Sequence, residues 1–434
     1  MAIRPLVLST KAHSFVSMSD DAIEVRLRTV SQINEIDAAA WDALGGTTRE
    51  SSTERTPYNP FLNRRFLGSL EDAGCVSRRT GWLPQHLVAE REDGTVLGTA
   101  PAYLKSHSQG EYIFDHGWAD AFERAGGDYY PKLLSAVPFT PATGPRLLAS
   151  PGDHAETVQA ALAQGLAVVA DKMGLSSVHV NFVRDEEAAV LESADYLLRM
   201  DRQFHWRNDG YSTYDDFLGT LASRKRKALR KERREALEGN GVAVEWLTGS
   251  ALTEDAWDAF FRFYMDTGAR KWGRPYLNRE FFSLLGERMA DDVLLIMAKR
   301  QGRWIAGALN LIGGDTLFGR HWGCIEHHPF LHFEVCYHQA IDFAIERGLN
   351  VVEAGAQGEH KLARGYGPVI TKSCHYISNP SFRRAVEDYL EHERREIAVY
   401  ADVLTEHTPF RKGERTDAVA HGFKIERREV EEQE

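Results

Sequence analysis

The segment after the predicted strand at residues 350–354 concentrates side chains that can do acid–base chemistry. Acids, bases and cations lie close together there, so the segment could move a proton and stabilise a developing negative charge. Open α/β sheets place their sites at the carboxyl ends of strands, which favours a functional site over the alternative, a solvated loop. The candidate groups are Glu353, His360, Lys361, Arg364 and Tyr366, with Gln357 beside small residues that let a ligand approach the backbone.

A second polar segment, residues 319–338, contains five histidines and two glutamates. We predict that it lines a cleft; a strand with a polar outer face is the alternative. The residues expected to contact a substrate are Arg320, His321, Trp322, Glu334 and Tyr337.

The same segment also allows a metal interpretation, built on His328, His332 and Glu334. Histidines at positions i and i+4 share one face of a helix and could both bind zinc. Pro329 is expected to break the helix between the two histidines, so we predict no bound metal.

In the first half of the chain, His116 follows a predicted strand at residues 112–115, and Lys132 precedes a proline-rich run at 137–146. Three prolines and one glycine make that run a rigid loop, which could wall a cleft or only cross the surface. We predict substrate contacts for His116 and Lys132.

A basic run at residues 223–234 has eight positive charges in twelve positions, although the chain has a net charge of −11. Such a run needs an anionic partner or intramolecular ion pairs. We predict a helix docked by a thin apolar edge. Its first four cations would bind the phosphates of a donor molecule; they are Arg224, Lys225, Arg226 and Lys227.

An internal repeat positions these segments. Each copy reads as a hairpin, a further strand, an amphipathic helix that ends at Gly-Leu, and a last strand parallel to its neighbour. The first copy comprises residues 87–104, 112–115, 156–172 and 177–182, and the second comprises 294–311, 316–320, 334–346 and 350–354. Two mixed α/β domains of one kind follow from this pattern.

Composition and missing motifs exclude several classes. The 434 residues are 43% hydrophobic and 26% charged, as in soluble globular proteins of two domains. The four cysteines lie far apart, which excludes a zinc ribbon or disulfide scaffold. No apolar stretch approaches the roughly 20 residues of a membrane span, so we expect a cytoplasmic protein. P-loop, dinucleotide-binding, HExxH and GxSxG motifs are missing from the sequence.

Several strings within this framework are distinctive. They include NPFL at residues 59–62, VPFTP at 137–141, QFHW at 203–206, FGRHWG at 318–323 and EAGAQGEHKLARGY at 353–366. Together they resemble a bacterial family of predicted N-acyltransferases, the FemAB-like "peptidoglycan biosynthesis/recognition" proteins, over about residues 24–412.

The resemblance implies tandem domains of the GNAT (acyl-CoA N-acyltransferase) fold and a transferase activity. The donor would be acyl-CoA or aminoacyl-tRNA. The acceptor would be the amine of a small molecule or a peptide, and a cell-wall precursor is one candidate. Lys361 matches a lysine-bearing segment of the wider Fem group. The sequence at residues 320–325 only approximates the pyrophosphate loop of acetyltransferases, since it ends in isoleucine, which puts ordinary acetyl-CoA use in doubt.

We therefore predict an N-acyltransferase without a tightly bound cofactor. Glu353 or His360 would be the base, Lys361 and Arg364 would stabilise negative charge, and Tyr366 would protonate the leaving group. Deprotonation assisted by the substrate and a non-catalytic module that binds a cell-wall precursor are the alternatives. The predicted parts are an extension at 1–23, domains at 24–214 and 215–377, and a helix and polar tail at 378–434.

Overall fold

The first half of the chain carries ten strands and five helices within the described residues. A computed structural model describes residues 7–11, 23–271, 275–355, 358–406 and 408–411. The strands are β1 Val7–Lys11, β2 Glu24–Val30, β3 Trp82–Pro84, β4 His86–Glu90, β5 Val96–Ala100, β6 Ala102–Lys105, β7 Lys132–Ser135, β8 Leu148–Ala149, β9 Ser177–Val183 and β10 Leu197–Arg207. The helices are α1 Ala38–Asp42, α2 Arg64–Asp72, α3 His116–Arg124, α4 Ala155–Met173 and α5 Asp185–Ser193.

The second half begins with α6 Tyr214–Thr220 and the basic helix α7 Ser223–Leu237. Its strands are β11 Val242–Leu247, β12 Val293–Arg300, β13 Arg303–Ile312, β14 Thr316–Cys324, β15 Val351–Glu353 and β16 Gly367–Ile377. Its other helices are α8 Glu254–Lys271, α9 Arg279–Met289, α10 Leu331–Phe333, α11 Gln339–Glu346 and α12 Pro380–Glu406, with a π-helical turn at Glu334–His338 and a 3-10 turn at Glu359–Arg364. None of the helices within the described ranges is long and apolar enough to cross a membrane.

The predicted repeat is present in the sheet topology. In each half a strand is followed by a helical segment and then by a hairpin. The strand and the two hairpin strands form an antiparallel ladder, β2–β4–β5 in the first half and β11–β12–β13 in the second. A helix then leads into a strand with a parallel neighbour, α4 into β9 beside β7 and α11 into β15 beside β14. The prediction of two α/β units of one kind is confirmed.

The last strands of the two halves are exchanged. Strand β10 ends the first half but pairs with β15, and β16 ends the second half but pairs with β9. The two exchanged strands pair with each other over nine residues, from Leu197↔His375 to His205↔Gly367. One sheet of 11 strands therefore runs through both halves, in the order β11-β12-β13-β14-β15-β10-β16-β9-β7-β6-β3.

The third strand of the first copy is not where the sequence predicted it. Residues 112–115 form no strand, and Lys132–Ser135 takes that place beside β9. Tyr112 has a left-handed backbone with φ of 60°, far outside the range of regular strands. Glu111 and Asp115 instead accept hydrogen bonds from the Lys132 ammonium group, so this stretch folds back over β7.

The helix predictions hold, with shifted ends. The basic run forms α7, and the long C-terminal helix is α12. The helix predicted from residue 334 begins at Leu331 and includes the π-helical turn. The boundary predicted between residues 214 and 215 stays a prediction, and most of the predicted extension and tail lies outside the described residues.

The strand exchange predicts that neither half is stable alone. A fragment of residues 1–214 would lose β16, which pairs with β9 and β10. A fragment of residues 215–434 would lose β10, which pairs with β15 and β16. Both losses expose unpaired strand edges. We expect each fragment to aggregate when expressed separately and the two to co-purify when expressed together, measured by affinity capture and gel filtration.

Removing β10 provides the control, because a fragment of residues 1–196 keeps the rest of the first half. We expect that fragment not to capture residues 215–434. A monomeric fragment of residues 1–214 that unfolds cooperatively by itself would contradict the exchange.

Candidate active site

Two neighbouring strands of the second half separate at their carboxyl ends. Strand β14 pairs with β15 only from Thr316↔Val351 to Phe318↔Glu353, and then continues to Cys324 without it. Gly319 stands where the two strands part, and a Cβ there would lie 3.2 Å from the Glu353 carbonyl oxygen. The result is a gap in the sheet, here called the β14–β15 gap, at the position where α/β sheets place ligands.

A β-bulge in β14 turns consecutive side chains toward one face of the sheet. Opposite β13, His321 pairs with Leu309 and Gly319 pairs with Asn310, so Arg320 is the extra residue. The His321 ring lies 5.0 Å from the Tyr264 ring. Bulges re-aim side chains next to sites, and this one lets Arg320 and His321 both face the first half of the chain.

Glu353 ends β15 at the apex of the gap. Its carboxylate is half-buried, and His205 on the exchanged strand β10 has its Nδ1 atom 3.9 Å from Oε1. Burial raises the pKa of Glu353 to about 8, against the lowering effect of Arg320. Once ionised, at a pH near or above 8, a carboxylate with this pKa can accept a proton from a substrate ammonium group.

Lys361 approaches the same apex from the 3-10 turn. The side chain is buried, and Nζ donates a hydrogen bond of 2.7 Å to the Gly355 carbonyl oxygen, two residues after Glu353. Burial lowers the pKa of Lys361 to about 8. A carboxyl group and an ammonium group, each with a pKa near 8, thus both lie close to His205 at the end of β15.

Arg364 and Tyr366 support that turn. The Arg364 guanidinium makes a bidentate ion pair with Glu232 at 2.8 and 2.7 Å and lies 3.4 Å from the centroid of the Phe333 ring. Tyr366 is fully buried, and its hydroxyl faces the Tyr337 carbonyl oxygen at 3.4 Å. Both groups therefore help to position the turn, and their catalytic roles stay predictions.

The remaining aromatic groups near the turn form a cluster around the start of α11. His360 is exposed, and its Nε2 atom is 2.8 Å from the Tyr337 hydroxyl. The His332 ring lies 5.2 Å from Trp322 and 5.5 Å from Tyr337. Trp322, Tyr337 and His360 therefore lie together at one wall of the β14–β15 gap. Gln357, another predicted substrate contact, lies outside the described residues.

Two predicted substrate contacts are enclosed instead. Glu334 is fully buried and accepts hydrogen bonds from Arg233, at 2.9 to 3.3 Å, and from Gln339. Lys132 is fully buried, and Nζ donates to Glu111 and Asp115. Both form internal ion pairs, which do not favour contact with a ligand, and their roles as substrate contacts stay predictions.

His116, which was also predicted to contact a substrate, begins α3 in the first half. It is exposed, and its ring lies 6.4 Å from the Phe114 ring. Its role as a substrate contact stays a prediction. None of the contacts given above for the described residues joins it to the β14–β15 gap.

The basic run divides into two parts. Arg224, Lys225 and Lys227 are exposed and Arg226 is half-buried; within the described part of the chain no carboxylate lies within 4.0 Å of these four cations. In the second part, Arg230 pairs with Asp215, Lys231 with Glu235, and Arg233 with Glu334 and Asp342. Within the described ranges, the first part and Arg234, which is also exposed, are therefore the cations of the run without an ion pair.

Glu232 was missed by sequence reasoning, although it joins the basic helix to the candidate site. It accepts hydrogen bonds from Arg364 and from His338 Nε2 at 2.9 Å. An acidic residue within a basic run was the available signal, because it had to pair with something outside the run.

A cavity of about 300 Å³ lies at the end of β14, next to Trp322 and His332. No group of three possible metal ligands occurs in the portion of the chain described above. His328 precedes the helix that starts at Leu331, so His328 and His332 do not share a helix face, as Pro329 predicted. The other lining residues are Thr267, Cys324, Glu326, His327, His328 and Leu331.

The fold and the β14–β15 gap define the class, two mixed α/β units of one kind in tandem with two strands that part at their carboxyl ends. The model of the FemAB-like family, described as peptidoglycan biosynthesis/recognition, matches residues 32–412. The chain therefore belongs to the FemAB-like family, which confirms the resemblance of the sequence strings. No curated protein matches the sequence.

Solved structures of similar arrangement have low sequence identity to this chain. A FemX structure has 13% identity and a TM-score of 0.47, covering 73% of this chain and 93% of FemX. L-PGS from Bacillus licheniformis has 11% identity and a TM-score of 0.46, covering 81% and 98%. A tandem GNAT protein from the clavulanic acid biosynthesis pathway has 12% identity and a TM-score of 0.44, covering 82% and 99%. Likeness of this size carries no conclusion about ligands.

Glu232→Gln tests the link between the basic helix and the Lys361 turn. Although burial acts to raise its pKa, hydrogen bonds from His338 and Arg364 hold the pKa of Glu232 below its ordinary value. We expect the variant to lower the free energy of unfolding by roughly 2 kcal/mol at neutral pH, because it leaves Arg364 without its carboxylate. Chemical denaturation measures this change.

The matched control is Glu235→Gln on the same helix, where we expect a change below about 0.5 kcal/mol. The wild-type advantage over Glu232→Gln should also shrink as the pH falls and Glu232 takes up a proton. Equal effects of the two substitutions would contradict a linking role for Glu232.

Proposed function

We propose that the chain is an N-acyltransferase that works at the β14–β15 gap. It would move an acyl or aminoacyl group from an activated donor to an amine acceptor. The observation that carries the proposal is that Glu353, at the end of β15, and Lys361, bonded to the Gly355 carbonyl oxygen two residues later, both lie near His205 and both have a pKa shifted by burial to about 8. Membership of a family described by peptidoglycan biosynthesis supports a cell-wall precursor or peptide as the acceptor.

The reaction assigns one step to each group. Glu353 takes a proton from the acceptor ammonium, and the free amine attacks the acyl carbonyl carbon. The N–H groups of Lys361 stabilise the oxyanion of the tetrahedral intermediate. When the bond to the carrier breaks, the thiolate or ribose oxygen leaves, and the second proton of the amine nitrogen passes to it. The products are an amide and the free carrier.

The exposed start of α7 would hold the donor's phosphates. Arg224 precedes Glu232 by about two helical turns, roughly 12 Å along the axis, and Glu232 contacts Arg364 beside the Lys361 turn. A carrier whose phosphates lie on Arg224 to Lys227 could thus extend its acyl end toward the gap. Both acyl-CoA and aminoacyl-tRNA carry such phosphates.

The pH dependence of transfer tests the two groups together. Glu353 must be ionised and Lys361 protonated, so kcat/KM should rise and then fall around a narrow maximum near pH 8. Glu353→Gln should remove the rising limb and lower the rate by a factor of about 10² or more. Lys361→Arg should move the falling limb to higher pH.

His360→Gln is the control for this profile, because the exposed imidazole is the alternative base. We expect it to keep both limbs; loss of the rising limb in that variant would assign the base to His360 instead. If the protein transfers no group from acyl-CoA or from aminoacyl-tRNA, and Lys361→Ala still binds the acceptor, a non-catalytic binding module would be favoured.

Salt dependence distinguishes the two kinds of donor. If a tRNA backbone contacts the four cations at the start of α7, the logarithm of affinity should fall against the logarithm of salt concentration with a slope of roughly three. CoA, with few phosphates, should give a shallower slope. The fourfold change of Arg224, Lys225, Arg226 and Lys227 to Gln should weaken donor binding and flatten the slope.

A control variant with the same change in charge replaces Arg78, Arg79, Arg384 and Arg395, which are exposed elsewhere. We expect it to keep the donor affinity of the wild type. Equal affinities of the wild type and the α7 variant at low salt, measured by filter binding or calorimetry, would exclude the basic helix as the donor site.

A further inference from the structure

The Arg320 guanidinium makes no direct ion pair in the described structure, although Glu353 acts on it electrostatically from beyond 4.0 Å. It donates a hydrogen bond to the Phe139 carbonyl oxygen and lies 5.8 Å from the centroid of the Phe61 ring and 5.9 Å from that of Tyr112. Among the described residues, no carboxylate lies within 4.0 Å of it. A half-buried charge without a carboxylate in direct contact carries a desolvation penalty that an anionic ligand would offset.

Strained backbone positions surround this guanidinium. Tyr112 and Phe139 both have left-handed backbones, with φ of 60° and 57°. Neither is glycine, and such conformations cost free energy and tend to persist at ligand sites. Tyr276 stacks on Phe139 at 4.9 Å with the rings 9° from parallel, and it is 38% exposed. An aromatic platform therefore adjoins the unpaired cation.

Arg320 and the basic helix lie on opposite faces of the sheet. Along β14, Leu317 belongs to the same core as Leu229 of α7, whereas Phe318 belongs to the same core as Phe61 and Phe139. Successive strand residues point to opposite faces. A donor held by α7 would reach the gap from one face, so the Arg320 face is left for the acceptor.

We propose that Arg320 binds a carboxylate of the acceptor, so that the acceptor is an amine that also bears a carboxylate, such as an amino acid or a peptide. This inference rests on the proposed function for the identity of the acceptor. The planar guanidinium presents paired N–H groups that match the two oxygens of a carboxylate. Glu353 then lies beside the acceptor amine while Arg320 holds the other end.

Equilibrium binding without any donor tests the proposal independently of turnover. The probes are alanyl-alanine and lysine, each compared with its carboxamide, by calorimetry or ligand-observed NMR. Because a charge-assisted hydrogen bond contributes about 1.5–3 kcal/mol, the wild type should bind each carboxylate roughly ten-fold or more tightly than its amide. Arg320→Gln should abolish that preference and leave amide binding unchanged.

Two further variants keep the outcome interpretable. Arg303→Gln, an exposed arginine on β13, should retain the full preference. Arg320→Lys keeps the charge without the planar fork and should retain only part of it, which gives an answer even if Arg320→Gln fails to fold. A purely structural arginine would instead lower the melting temperature without changing the ratio of carboxylate to amide affinity.

The outcomes separate this inference from the proposed function. Carboxylate preference that depends on Arg320, without transfer from any donor, would support the inference and overturn the transferase proposal. Transfer to amines with no carboxylate preference would overturn the inference alone. Failure of both carboxylate probes to bind at millimolar concentration would also overturn it, and competition by inorganic phosphate as strong as by alanyl-alanine would assign the site to a phosphate.

Discussion

The antiparallel pairing of β10 with β16 is the constraint on which the rest of the structure depends. These two last strands pair over nine residues, and each also completes the sheet of the other half, β10 beside β15 and β16 beside β9. Backbone hydrogen bonds at the centre of a buried sheet cannot be exchanged for water without a large penalty. The pairing therefore fixes where the first half stands against the β14–β15 gap, and it places His205 next to Glu353.

The two halves use the same topology in different ways. In the first half, the chain leaves β7 at Ser135, and its proline-rich loop fills the space beside β9: Gly144 N donates to the Phe182 carbonyl oxygen at 3.0 Å, and Arg146 Nε to that of Asn181 at 2.9 Å. In the second half, the corresponding space beside β14 stays open. The same loop carries Phe139, whose carbonyl oxygen accepts a hydrogen bond from Arg320. The loop therefore fills the gap of the first half and forms one wall of the β14–β15 gap.

Burial accounts for the chemistry we propose at that open gap. Removing water from Glu353 disfavours its charged form and raises its pKa, and the same effect on Lys361 lowers its pKa, so two groups that normally differ by six units meet near 8. Arg364, Glu232 and His338 hold the surrounding turn through ion pairs and hydrogen bonds. Such support keeps the reacting groups in place without taking part in the reaction.

Much of this was determined by the sequence. Hydrophobic periodicity and glycine turns predicted the repeated hairpins and crossover helices, and the position of Glu353 and Lys361 after a core strand indicated a candidate site, because these signals are local. The partners of Lys132, Glu334, Arg364 and Tyr366 were decided by tertiary structure, since they lie at distant positions in the chain. The strand exchange and the bulge at Arg320 were likewise beyond the sequence pattern. Strand pairing between distant segments and a one-residue register shift leave no periodic signal, and only the packing of the whole sheet selects them.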